Sequence, residues 1–489
     1  MPATDRGRPT VILAVCCLSV LLVSLDTTIL NVALPAVQAD LHCSLAGLQW
    51  TLDAYTLVLA SLLILAGATA DRVGRRRVLH LGLVLFTAGS ALCSLAPSLN
   101  WLIVFRMAQA LGGCMLTPVA MAILTHAHPR PKERARAIGV WGGVVGISMA
   151  AGPVLGGVLV RSAGWRSVFW LNVPIGLAAL VLAAVFVPES RAPRPRRADP
   201  VGQLLLTGAL GTLTYAVIEA PGHGWTSPLI LSCLLAAAGA LAAFVPCELR
   251  REEPLIDPRL FRDASFAGAT VTAVCAFTAL GGFLFAASLH LQRDLGLGPL
   301  AAGTRLLPMA VPSLLCPPLA GRMVAGRGPR LPLLLAGAGM AAGGLLALPA
   351  TRPDTHSTLL LHLAFALFGV GFGFVNAPIT DTAVSGLPRA QAGVAAAIAA
   401  TSRQVGAALG IAVTGAVLAA GSRTAAWWII AGCGAAVLAV SAFTARRRPA
   451  AAHPDAVVAR LPVRGRGQDW SSAGRRSPAT RMPTRRRAS

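Results

Sequence analysis

The 489-residue chain is 55% hydrophobic and only 12% charged, and its formal net charge is +23. A mean hydropathy of +0.68, gathered in runs of about twenty apolar residues, excludes a water-soluble domain, because each run matches the length a helix needs to cross roughly 30 Å of hydrocarbon. The scarcity of aromatics and of short alternating segments excludes a membrane β-barrel, and no G-K-[ST] string is present to cradle ATP phosphates.

In chain order, spans are expected near residues 11–34, 48–70, 78–96, 101–125, 135–160 and 168–187. Two more fall near 201–219 and 229–247, and six near 266–289, 301–323, 331–348, 359–380, 394–419 and 425–444. That gives an all-α polytopic membrane protein of about fourteen transmembrane helices. The thirteenth is the least distinct, because residues 386–403 are Ala-rich and polar. The N-terminus imitates a signal peptide, but its apolar run continues past an h-region, so it reads as a retained first helix. Ten cysteines stand singly or as Cys16-Cys17, nearly all inside apolar runs, and read as packing residues.

The positive charge alternates along the chain. Arginines gather at Arg6 and Arg8, at 72–77, 130–136, 191–197, 250–262 and 322–330, and after Arg446, while the intervening loops carry few. Such alternation places the basic loops and both termini on the cytoplasmic side of a bacterial membrane. The tail from Arg446 holds twelve arginines with Pro, Ser and Ala, so it is expected to be disordered and available to anionic lipid surfaces. In this setting the net charge does not indicate nucleic acid.

Residues 67–79 read GATADRVGRRRVL, a tight basic turn between two apolar runs. The string resembles the loop signature between the second and third helices of the major facilitator superfamily, with Gly67, Asp71, Arg72, Gly74, Arg75, Arg76 and Leu79 on the pattern. GRMVAGRGPR, beginning at Gly321, repeats the spacing with Gly328 and Arg330, but Ala325 stands in the place of Asp71. A degenerate second copy is what two parallel six-helix repeats produce. The resemblance implies the major facilitator fold: a first half over residues 1–190, linkers and an inserted helix pair over 191–263, a second half over 264–445, and the tail over 446–489. Asp71 is then available to a positive helix end or an arginine of the second half, a contact Ala325 cannot return.

Three charges lie within spans at similar depth. Asp26, in LDTTILNVALP, sits about 12 Å from the outer end of its helix, with Asp53 and Arg106 about 8 Å from that face. Intramembrane charges are costly and face a water path or a partner, so the three are candidates for one proton-coupling network. Alternatively, Asp26 only bonds a neighbouring helix and Asp53 is merely solvated. LIVFRMAQALGG resembles a family motif through Arg106, Gln109 and Gly112, which implies a part for Arg106 in proton transfer.

In the fifth span, Gly152, Pro153, Gly156 and Gly157 resemble the antiporter motif of drug exporters. Proline and glycine suit a bending, closely packed helix, whether for gating or as a plain kink. Asn376 and the lone cation Arg403 are candidates for substrate contact; Arg403 equally suits bonding to carbonyls or snorkelling. GWRSVFWLNVPIG further resembles the fourteen-span drug:proton antiporters. The resemblance implies a monomeric exporter of an amphipathic drug or antibiotic, driven by a proton gradient, with no cofactor, metal or catalytic residue. A metabolite transporter and a non-transporting membrane sensor are the alternatives.

Overall fold

The structure, a computed structural model, describes residues 4–192, 199–352, 357–385 and 392–444; the tail from Arg446 lies outside the described residues. Among them the regular structure is entirely helical. First come α1 (Thr4–Leu41), α2 (Leu45–Val73), α3 (Arg75–Ser94), α4 (Leu99–Ala127), α5 (Pro131–Ala163), α6 (Ser167–Trp170) and α7 (Asn172–Phe186). A hairpin follows, α8 (Pro200–His223) and α9 (Pro228–Arg250). The rest comprises α10 (Ala264–Leu289), α11 (Pro299–Arg305), α12 (Leu307–Arg327), α13 (Arg330–Ala350), α14 (Thr358–Gly373), α15 (Asn376–Ser385), α16 (Ala392–Ala419) and α17 (Arg423–Thr444).

Among the described residues, thirteen helical stretches are long and apolar enough to cross a membrane, and α11 with α12, bent by 42°, makes a fourteenth. The expected number of spans is therefore present. Three spans are broken, and each break lies within four residues before a proline: Pro174 after α6, Pro308 after α11 and Pro378 after α14. A proline has no N–H to give the carbonyl four residues back, so the ladder parts there.

Buried apolar side chains of α1 to α4 and α7 form one core, and those of α10 to α17 form another, in which Phe283 stacks on Phe368 at 4.1 Å between centroids. Glycine lets α3 and α4 approach closely. A β-carbon at Gly89 would come within 2.6 Å of Gln109 Cα, and one at Gly82 within 2.9 Å of Met115 Cβ. The turn between α2 and α3 needs glycine for another reason: Gly74 has φ +129°, and Gly328, its counterpart in the second copy, has φ +78°. Side chains rarely adopt either value.

The first and last groups of helices meet tightly at the end of the bundle opposite the arginine turns. There Gln49 Nε2 donates to the carbonyls of Ile411 (3.3 Å) and Ala412 (2.8 Å). Ser288 Oγ donates to Asn31 O at 2.6 Å, Gln292 Nε2 to Val32 O at 3.0 Å, and Arg293 to Gln38. Along α5 the contact loosens toward the other end. A β-carbon at Gly157 would press on Pro299 and Leu300, and one at Gly146 on Leu314. At Gly143, Gly142 and Gly139, and at Gly321 and Gly326 on α12, it would meet nothing within 4 Å. Among the described residues the hydrogen bonds between the two groups all lie at the first end, so the bundle is tied shut there and is read as parted at the other.

Overpacking the α3–α4 seam should cost about 1–3 kcal/mol. Gly89→Val should accordingly lower the thermal midpoint of the purified protein in detergent, whereas Gly139→Ala should leave it unchanged.

Candidate functional site

Asp26 lies in α1 and Arg106 in α4, and both are buried, at 0% and 1% exposure. Arg106 Nη1 donates to Asp26 Oδ2 at 2.5 Å and to Gln109 Oε1 at 2.7 Å, while its Nε donates to Thr51 O at 3.1 Å. The other carboxylate oxygen, Asp26 Oδ1, accepts from Gln109 Nε2 at 2.9 Å and Asn172 Nδ2 at 3.0 Å. Gln109 Nε2 also donates to Ser90 Oγ at 2.7 Å. The guanidinium lies over the Tyr55 ring, 4.2 Å from its centroid, and 5.8 Å from that of Phe169. Six helices therefore close on one buried ion pair.

Local structure explains the convergence. Arg106 and Gln109 are three residues apart on α4 and so share a face. Gly89 makes room for Gln109, and the break between α6 and α7 starts the latter helix at Asn172, whose amide reaches Asp26. A pair out of water holds together only when its remaining lone pairs and protons are satisfied. Here the surrounding amides and a main-chain carbonyl supply those bonds.

Asp53 does not join the network. It is fully buried in α2, so it is not merely solvated; Oδ1 accepts from Thr56 at 3.1 Å and Oδ2 has no hydrogen-bond partner among the described residues. Similar depth brought three charges to one level, but angular position on α2 turns the Thr51 carbonyl, not Asp53, toward Arg106.

Around the arginine turn, Arg75 Nε and Nη2 hold Asp71 Oδ1 at 3.0 and 2.9 Å. The expected contact of Asp71 with the second half is therefore replaced by one within its own turn, where the non-helical corner at Gly74 brings the end of α2 against the start of α3. The turn is further tied to the segment after α7: Arg76 N donates to Glu189 Oε1 at 3.1 Å, Arg77 faces the same carboxylate at 3.7 Å, and Arg75 N donates to Ser190 O at 2.9 Å. Gly74 lies directly under Glu189, Gly67 packs on Pro118, and Arg72 is exposed.

The remaining candidates fall in two places. Gly152 and Gly156 pack on Thr28 and Ile29 of α1, Gly157 on α11, and the Pro153 carbonyl abuts Gly303. The motif thus occupies the shut end of the crevice. Asn376 begins α15 just past the α14 break. Arg403 keeps some exposure and has no hydrogen bond or ion pair among the described residues; neither residue touches the Asp26 network. Sequence reasoning passed over Asn172, Thr51, Tyr55 and Glu189. A lone amide in an apolar run marked Asn172 and an acid beside a basic turn marked Glu189, but nothing marks a main-chain carbonyl.

Removing one partner of a buried pair costs about 3–5 kcal/mol, because the other is left uncompensated. Arg106→Ala should destabilise the protein by that order in denaturant unfolding from detergent, and Asp26→Asn combined with Arg106→Gln should cost distinctly less.

The family model of the Major Facilitator Superfamily matches residues 16–411. The chain is 40% identical over 403 residues to multidrug resistance protein Stp of Mycobacterium tuberculosis (strain ATCC 25618 / H37Rv), covering 82% of this chain and 74% of that protein. It is 39% identical over 416 residues to the tetracenomycin C resistance and export protein of Streptomyces glaucescens, covering 85% and 77%. To the methylenomycin A resistance protein of Bacillus subtilis (strain 168) it is 34% identical over 439 residues, covering 88% and 91%. A buried intramembrane ion pair, paired arginine-turn motifs and this extent of matching leave one conclusion: the chain belongs to the major facilitator superfamily.

Proposed function

We propose that the protein is a proton-coupled exporter of an amphipathic drug or antibiotic across the bacterial cytoplasmic membrane. The observation that carries this reading is the buried pair Asp26–Arg106, a carboxyl group fixed beside a guanidinium inside the bundle. Relatives whose names describe multidrug resistance or antibiotic export give the direction and the cargo class. With the basic turns on the cytoplasmic side, the parted end of the bundle faces the cytoplasm and both termini lie there.

In that state Asp26 is charged and held by Arg106, Gln109 and Asn172, as it would be after giving up a proton inside. Cargo enters the parted crevice, where Asn376 and Arg403 are candidates for contact. After the exchange of ends, a proton from outside neutralises Asp26 and Arg106 loses its counter-charge. That loss shifts the balance between the two arrangements of the halves. Gly152, Pro153, Gly156 and Gly157 would serve as the bearing on which they turn, and two six-helix halves separated by the α8–α9 hairpin would be the moving bodies.

Expression in a drug-sensitive host should raise resistance and give uncoupler-sensitive efflux. Asp26→Asn should return both to the host's background while the protein still reaches the membrane; wild-type efflux in that variant sinks the reading. Asp71→Asn, which loses the charge that anchors Arg75, should slow efflux several-fold at unchanged protein level, as measured by dye efflux against immunoblot.

A further inference from the structure

The C-terminal helices carry a groove of about 600 Å³ between the α11–α12 bend and α14, on the outer flank of the bundle. Three polar side chains stand at one end of it, Thr304, Arg305 and His362. The groove then continues along apolar residues. Leu307 and Val311 are 38% and 45% exposed, and the same helix faces extend to Leu315 and Leu363, at 60% and 49%. These positions recur at three- and four-residue steps, so each helix presents one continuous apolar strip beside the polar end.

Depth fits the same picture. Arg305 is six residues past the start of α11 and His362 four past the start of α14, about 9 Å and 6 Å along their helices. Both belong near the headgroup layer of the face opposite the arginine turns. Arg305 has no ion pair or hydrogen bond among the described residues, and no carboxylate lines the groove. A guanidinium at that depth without a partner among the described residues is costly, and its planar fork matches a phosphate's oxygens.

We propose that this groove binds one anionic phospholipid, its phosphodiester on Arg305 with His362 and Thr304 beside it, and an acyl chain along Leu307, Val311 and Ala366. The broken helix makes the site. Pro308 and Pro312 deprive α12 of two main-chain bonds, and the bend at Leu306 opens the space against α14. A zwitterionic lipid is disfavoured because its ammonium would sit beside Arg305 with no acidic side chain among the described lining residues to receive it.

The test is native mass spectrometry of the purified full chain, equilibrated with equal amounts of phosphatidylglycerol and phosphatidylcholine in detergent. Wild type should retain phosphatidylglycerol in preference, and Arg305→Gln should retain about fivefold less, the effect of one cation near a lipid surface. Arg305→Lys should keep most of the binding, which separates charge from folding, and all three proteins should elute alike in size exclusion. Phosphatidylglycerol carrying a photoreactive acyl chain should label peptides spanning 307–315 or 359–366. Equal retention by wild type and Arg305→Gln, no preference over phosphatidylcholine, or labelling elsewhere would overturn the proposal. Displacement of the lipid by millimolar inorganic phosphate alone would also overturn it, since the groove would then be a free-anion site.

Discussion

A carboxylate and a guanidinium that have both left water govern the N-terminal helices. Either charge alone is costly there, and each needs more bonds than the other can give. Gln109 bridges them, Asn172 takes the far carboxylate oxygen, and the Thr51 carbonyl takes the guanidinium Nε. Gly89 of α3, the break before α7 and the position of Tyr55 under the guanidinium all serve to hold that cluster. Because every member is bonded to another, a change in the charge of Asp26 cannot stay local. It would alter how α1, α2, α4 and α7 hold one another, as the proposed coupling of a proton to a movement requires.

The arginine turn shows how a shared motif takes different parts in the two copies. Both turns need glycine at their corner, since Gly74 and Gly328 lie in the same region of positive φ. Only the first carries an acid. Asp71 binds Arg75 across its own turn, and Glu189 reaches back over Gly74 to the main-chain N–H of Arg76. These contacts lash the α2–α3 corner to the segment leaving α7. The corner is thereby stiffened within its own half, where the sequence pattern alone suggested a bridge between halves.

Much of this was legible before any coordinate. Runs of apolar residues are a direct record of bilayer thickness, so the number of spans could be counted, but the breaks before Pro174, Pro308 and Pro378 could not be told from Pro35, Pro118 and Pro153, which stay inside continuous helices. Asp26 and Arg106 stood out as charges where hydrocarbon allows few, and Gln109 only through the motif it shares with Arg106. Rotation about the helix axis was not legible: depth follows from counting residues, but which neighbour a side chain meets depends on how helices pack. That is why Asp53 seemed to belong with Arg106 and the Thr51 carbonyl did not. Asp71 misled for a related reason, because family pattern names the residue without naming its partner, and that partner, Arg75, stood just across the Gly74 corner.

The graded approach along α5 has a mechanical meaning. Tight backbone contacts surround Gly152 to Gly157, and none reach Gly143 or Gly139. Taken as the pivot of the proposed movement, Pro153 is a fulcrum from which α5, packed through Ala137 and Trp141 on its own half, extends an arm of about 21 Å to Gly139. A tilt of about 10° at the fulcrum sweeps the end of that arm by nearly 4 Å, roughly the thickness of an aromatic ring, using only the rise per residue of an α-helix. Small residues at the fulcrum are what keep the ratio favourable, since a bulky side chain there would move the pivot outward and shorten the arm. The width of the crevice is thus set far from the place where it opens.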